Sequence, residues 1–358
     1  MRFVRPRARY GAAAVLALTL TTSCTLVGND GASDDTAPGE PPSQVVLVTH
    51  DSFALPKRLL RTFERDSGLS LDVRPAGDAG ALTNRLVLTQ DNPTGDVAFG
   101  VDNTFASRAL EAGVFADSDV ELPRGAERLA LPDGTDRLVP VDTAGVCVNV
   151  DTGWFAERDL EPPASLDDLV DPAYRDLFVA PGAATSSPGM AFLLSTIAEY
   201  GDAWPDYWAD LMANGAKLTS GWSDAYYVDF TRGGGDGDRP IVLSYDSSPA
   251  FTLTEDAEAS TTEALLDTCF RQVEYAGLLE GAANPDGGRR VLEFLLSPQV
   301  QAALPRSMYV FPAIEGVELP PDWARFAVQP ENAYTVDPAE ITARREEWLT
   351  TWSDVTSR

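Results

Sequence analysis

The side chains able to do chemistry are unevenly supplied in this chain of 358 residues. One His and three Cys cannot furnish the three or four ligands that the usual zinc sites take. His50 would have to be the base of any serine hydrolase, and no G-x-S-x-G elbow is present to hold a nucleophile. Carboxylates are abundant instead: 55 Asp and Glu face 27 Lys and Arg, for a net charge of −28. Such a chain is repelled by nucleic acid and by anionic membranes, and it suits a cationic partner. Asp51, Asp102 and Asp142 fall at strand ends or loop–helix junctions, as do Trp222, Tyr226 and Tyr245. Open α/β sheets bind ligands at such places. Carboxylates beside aromatic faces suit an organic cation. Plain structural roles compete: Asp51 as a turn residue, Asp102 as a cap for a helix at Thr104, Asp142 in a salt bridge, and Tyr245 in a core. No metal site, no cofactor and no covalent chemistry are expected.

The N-terminus reads as an export signal. Arg2, Arg5, Arg7 and Arg9 precede a short apolar run, Ala12 to Leu20, too short to span a bilayer as a stable helix. Thr21-Thr22-Ser23-Cys24 then looks like a bacterial lipoprotein cleavage box, with Thr21 where Leu is usual. Residues 1–23 would be removed and Cys24 lipidated, taking the net charge from −28 to −32. Residues 24–44, rich in Gly, Ser, Pro and Asp, read as a flexible tether. Cys147 and Cys269 remain as an even pair in an exported protein, which points to a disulfide. Two buried thiols or a reactive cleft thiol are the alternatives.

The elements that must position these residues alternate between strand and helix. Strands are predicted over 44–49, 69–73, 96–101, 138–150, 177–180, 241–245 and 273–278. Helices are predicted over 55–67, 81–89 and 104–112, with Gly68 and Gly113 past two of their ends. Ser165 with Asp168 resembles a capping box. Ser187 is expected to cap a helix with Pro188 in its first turn and Phe192, Leu193, Ile197 and Tyr200 on its apolar side. A helix over 289–304 should break at Ser297-Pro298. Asp337-Pro338-Ala339-Glu340 should start another that carries Trp348 and Trp352 on one face. Residues 232–239, RGGGDGDR, read as a flexible surface loop. The βα alternation implies a parallel sheet covered by helices on both faces, and the length fits two domains.

Seven ordered segments carry a resemblance. They are Thr49-His50-Asp51-Ser52-Phe53, Gly100-Val101-Asp102-Asn103, Thr185-Ser186-Ser187-Pro188-Gly189, Gly221-Trp222-Ser223-Asp224-Ala225-Tyr226, Leu243-Ser244-Tyr245, Ser248-Pro249-Ala250 and the FLLSPQVQ helix. In this order and spacing the chain, from about Val45 onward, resembles the thiamine-binding proteins of ABC importers, within the extracellular solute-binding family. The resemblance implies an α/β type II periplasmic-binding fold of two lobes, with a hinge and a ligand cleft. The first lobe would span 45–142, the second 143–268, and 269–358 would return to the first and add C-terminal helices. It also implies a monomer that captures thiamine or its phosphate esters and delivers them to an ABC permease driven by an ATPase.

The expected ligand contacts are His50, Asp51, Asp102, Asp142, Ser186, Trp222, Tyr226, Tyr245 and Tyr309. Trp222 matches the family's stacking residue. The helix N-terminus at Thr185-Ser186-Ser187 would favour a phosphate tail. The chain departs from the family in four places. His50 replaces a Tyr, a Trp is missing near Ala54-Leu55-Pro56, Tyr309 replaces a Trp, and Phe251 replaces a Tyr. Two alternatives share the fold. Ferric iron could be held by Tyr226-Tyr227 with an acid or His50, since phenolate and carboxylate oxygens suit a hard cation. A thiamine-degrading enzyme would use Cys147 with Asp142 or Asp224, although acidic surroundings disfavour its thiolate.

Overall fold

The computed structural model describes residues 43–132 and 134–357. The export signal, Cys24 and nearly all of the tether lie outside the described residues. The first third forms β1 (Gln44–Thr49), α1 (Lys57–Ser67), β2 (Ser70–Pro75), α2 (Ala79–Leu88), β3 (Val97–Asp102) and α3 (Ala106–Glu111). The middle forms β4 (Leu138–Asp151), α4 (Thr152–Ala156), β5 (Phe178–Pro181), α5 (Ser187–Tyr200), α6 (Trp204–Ala213), β6 (Lys217–Thr219) and β7 (Ile241–Tyr245). Then come β8 (Thr262–Ala264), β9 (Phe270–Leu278), α7 (Pro285–Leu295), α8 (Pro298–Gln301), α9 (Leu304–Met308), β10 (Phe311–Pro312), α10 (Pro321–Phe326) and α11 (Pro338–Thr356).

One mixed sheet runs in the order β2-β1-β3-β9-β4-β7-β5-β6, with β8 and β10 beside β4. Its two ends are parallel, as the βα alternation implies: β1 pairs with β2 and β3, and β5 with β6 and β7. Its middle is not. β9 runs antiparallel to β3 and to β4, and β4 antiparallel to β7. Periodicity finds strands but carries no direction; β4 and β9 are not joined to their neighbours by the crossover helices that force parallel pairing. Helices cover both faces. Val45 and Leu47 of β1 pack with Leu292 and Leu295 of α7, while Val48 packs with Leu82 and Leu86 of α2. A strand buried on both sides reads as the unbroken apolar run QVVLVT.

Local chemistry fixes the ends. Gly68 closes α1 at φ 72°, a left-handed conformation that glycine adopts without penalty. The Asp337 carboxylate accepts from the Ala339 amide and starts α11. Ser165 and Asp168 cap one another, but around a short 3₁₀ turn. Three expectations need correction. Ser187 is the first residue of α5 and does not cap it; its hydroxyl accepts from Gln272 Nε2 at 2.9 Å. α5 has no single apolar side, because every residue from Ser187 to Ile197 is buried between the sheet and α6. The 232–239 loop is laced down: Arg232 Nε lies 2.9 Å from the Asp151 carboxylate, and Arg239 donates to the Gly215 carbonyl.

Cys147 on β4 and Cys269 before β9 are joined as a disulfide across 122 residues of sequence. Both are fully buried. Closing so long a loop restricts the unfolded chain. The double substitution Cys147→Ser/Cys269→Ser is expected to cost about 2–5 kcal/mol, read as a lowered melting temperature in calorimetry. An unchanged melting temperature would contradict this role.

Candidate functional site

A small cavity opens where the sheet's parallel ends meet its antiparallel middle. It is lined by His50, Ser52, Asp78, Ala79, Ser187, Trp222, Tyr245, Glu274, Met308 and Val310. His50 follows β1, Asp102 ends β3 and Tyr245 ends β7, so the strands' carboxyl ends point here. The space is about 30 Å³, enough for about two waters. A small-molecule site takes ~300 Å³ or more, so a ligand can enter only if the walls part. Three contacts hold them together. The Trp222 amide donates to Asp78 Oδ2 at 2.9 Å, the Ala81 amide donates to the Thr185 carbonyl at 3.1 Å, and the Ser52 and Ser223 hydroxyls lie 3.4 Å apart.

Buried acids dominate the floor. Asp142 and Glu274 stand opposite one another across β4 and β9, both almost fully buried. Burial pushes the Asp142 carboxyl up to about 8 and raises the Glu274 carboxyl well above the usual carboxylate range, with the Asp142, Asp102 and Asp78 charges adding to the rise at Glu274. Both Asp142 oxygens are buried without a hydrogen-bond donor and face Glu274 across the register, so one proton shared by the two carboxyls suits the pair. The salt bridge that could have explained Asp142 is therefore replaced by an acid pair. Asp102 fulfils its structural reading with one oxygen: Oδ1 accepts from the Thr104 hydroxyl at 2.7 Å and from the Thr104 and Phe105 amides. Its Oδ2 is buried without a partner, and burial pushes the carboxyl up to about 7. Asp78 caps α2 through Oδ1 and is also raised by burial. His50 Nε2 lies 3.6 Å from Glu274 Oε1. Burial holds its pKa down at about 4, so the ring is neutral near pH 7.

The wall is aromatic. Trp222 stacks on Tyr226 with centroids 5.0 Å apart and planes at 22°, and its Nε1 donates to the Ser244 hydroxyl. Tyr245 is tilted beside it at 5.8 Å. His50, Trp222 and Tyr245 thus line the cavity, with Asp102 and Asp142 among the acids around it. Six expected contacts do not line it: Asp102 and Asp142, and also Tyr226, Asp51, Ser186 and Tyr309. Tyr226 stands behind Trp222. Asp51 is exposed, its amide bonded to the Gly77 carbonyl. Ser186 is fully buried against Asp78, so an acid of the chain already faces that helix end. Tyr309 packs on Phe251 while its neighbours Met308 and Val310 face the space. Asp78 and Glu274 escaped the sequence reading. Asp78 looks like any helix cap, and the one signal for Glu274 is an acid inside the strand-like run FRQVEY. Cys147, bonded to Cys269, has no thiolate to offer.

Gly100 makes room for His50. Its φ is +100°, and a Cβ there would collide with the imidazole ring. Gly68 also has positive φ but open space around it. Gly100→Ala is expected to lose about 1–3 kcal/mol and to melt lower than Gly68→Ala in thermal denaturation. Equal melting temperatures would mean that the collision is relieved without cost.

Comparison with known proteins agrees with this architecture. Residues 92–247 match the family of bacterial extracellular solute-binding proteins. The thiamine-binding periplasmic protein of Escherichia coli K12 is 31% identical over 337 residues, covering 90% of this chain and 96% of that protein. A solved periplasmic thiamin binding protein superposes with a TM-score of 0.77 at 30% identity, covering 88% of this chain and 96% of that one. Iron-bound HitA from Pseudomonas aeruginosa superposes at 0.68 with 19% identity, a likeness of fold alone, covering 88% and 99%. The mixed sheet and these neighbours make the fold a type II periplasmic-binding fold. The chain belongs to the family of thiamine-binding periplasmic proteins.

Proposed function

We propose that this protein captures thiamine outside the cytoplasm and presents it to an ABC permease powered by an ATPase. The observation that carries the reading is a group of acids, the half-buried Asp78 and the buried Asp102, Asp142 and Glu274, of which Asp78 and Glu274 line the cavity together with the Trp222 and Tyr245 rings. Thiamine brings a permanent thiazolium cation and a flat aminopyrimidine. A cation that enters a low-dielectric acidic site gains far more than it would in water, and aromatic walls suit its rings. The name of the relatives supports the same ligand. The Asp78 carboxyl beside Ser186 favours unphosphorylated thiamine over its phosphate esters at that helix end.

The mechanism is closure. Residues 45–142 and 143–268 act as lobes on either side of β4 and β9, with 269–358 returning to the first. The contacts of Asp78 with Trp222 and of Ala81 with Thr185 hold the closed form. Ligand contacts made by both lobes would favour that form over an open one. The protein is no enzyme in this reading, acts as a monomer, and is held at the membrane by lipid on Cys24. Among the described residues no helix is long and apolar enough to cross a membrane.

Iron is the weaker reading. The Tyr226 ring lies under Trp222, whereas Tyr227 is 44% exposed, so the two phenols do not converge on a carboxylate pair. Burial pushes the Tyr227 phenol up to about 12 and Tyr226 beyond it, which disfavours both phenolates.

Calorimetric titration tests the assignment. Thiamine should bind the wild type and be recovered intact by HPLC. Trp222→Ala should weaken binding about tenfold or more, the scale of a desolvated cation–π contact with stacking. Phe251→Ala, outside the cavity lining, should weaken it less. Equal isotherms for the two variants would refute the site.

A further inference from the structure

The acids of the cleft floor raise a question of charge that capture of a cation must answer. Asp142 on β4 and Glu274 on β9 are cross-strand partners at 1% and 6% exposure. Two carboxylates cannot both stay ionised at that distance inside a protein. The groups around them offer little relief. Asp102 at the end of β3 and Asp78 before α2 add negative charge, and Asp51 adds more beside Asp78. Tyr245 from β7 is a neutral phenol, raised well above its usual range by burial and the surrounding acids. His50 after β1 accepts at Nδ1 from the Ser52 amide, so Nε2 carries its proton toward Glu274 and the ring stays neutral. The empty site therefore keeps its charge down with a proton. Glu274 lines the cavity, while Asp142 sits behind it.

We propose that capture is an exchange, in which the ligand's fixed positive charge enters as the proton shared by Asp142 and Glu274 leaves to solvent. The inference rests on the thiamine reading and extends it. Near neutral pH the thiazolium keeps its fixed charge and has no proton to lose, and the weakly basic aminopyrimidine is already unprotonated, so a proton released on binding comes from the protein. Once a cation lies against Glu274, both carboxylates can remain ionised. Charge balances: one positive charge enters the cleft and one departs. Binding should then tighten as pH rises, by about tenfold per pH unit between pH 6 and 7.5 for one linked proton. Lower pH would favour release.

The test is calorimetric titration of the protein with thiamine at pH 7 in phosphate, HEPES and Tris, buffers of different ionisation enthalpy. About one proton should pass to the buffer per thiamine bound. Asp142→Asn should cut that number below about one third while leaving binding measurable, because Glu274 then ionises without a facing carboxylate. Thiamine binding with the same enthalpy in all three buffers would overturn the exchange and leave the thiamine reading standing. Unchanged proton release in Asp142→Asn would overturn the assignment to this pair. No thiamine binding in any buffer would overturn the thiamine reading, and the exchange with it.

Discussion

Two carboxyls buried face to face, Asp142 and Glu274, set the terms for the rest of the molecule. Burying an acid is costly unless it is paired, hydrogen-bonded or neutralised. Here the nearby groups that act most strongly on Glu274 are themselves acids. Among the described residues no Lys or Arg pairs with either acid, and in the proposed reading that makes the site receptive to a positive charge from outside. The chain's net charge of −28 acts in the same direction at long range, drawing cations toward the cleft.

The antiparallel pair β4 and β9 puts those acids in place. Their register sets Asp142 opposite Glu274, and the Cys147–Cys269 disulfide ties the same two segments together. The same two strands connect the parallel sheet ends that supply His50 and Asp102 from one side and Trp222 and Tyr245 from the other. A motion about this pair would change the distance between the two sets of residues, and with it the volume of the cleft. The disulfide-tied strands and the charged floor thus belong to one element of the fold.

Much of this was legible in the sequence, for identifiable reasons. Runs such as QVVLVT and IVLSY announce strands because both faces of the sheet are covered. Asp337-Pro338 announces α11 because capping is local chemistry. His50, Trp222 and Tyr245 stand at strand ends and loop–helix junctions, and all three line the cavity. The direction of β4 and β9 was not legible, since alternation is the same in parallel and antiparallel strands. Glu274 was hidden because its partner is 132 positions away in the chain. The roles of Ser187 and Tyr226 were not legible because tertiary contacts set them: the Ser187 hydroxyl accepts from Gln272 and does not cap α5, and the Tyr226 ring stacks on Trp222.

The most direct measurement compares thiamine with a neutral isostere in which carbon replaces the charged ring nitrogen, so that the ring stays flat and aromatic, titrated into the same protein under the same conditions. If buried carboxylates drive capture, loss of the positive charge should weaken binding by at least about thirtyfold, the lower end of what a desolvated charge pair contributes. Equal affinity for the charged and neutral ligands would show that shape and stacking alone hold the ligand, and that the acid floor has another purpose.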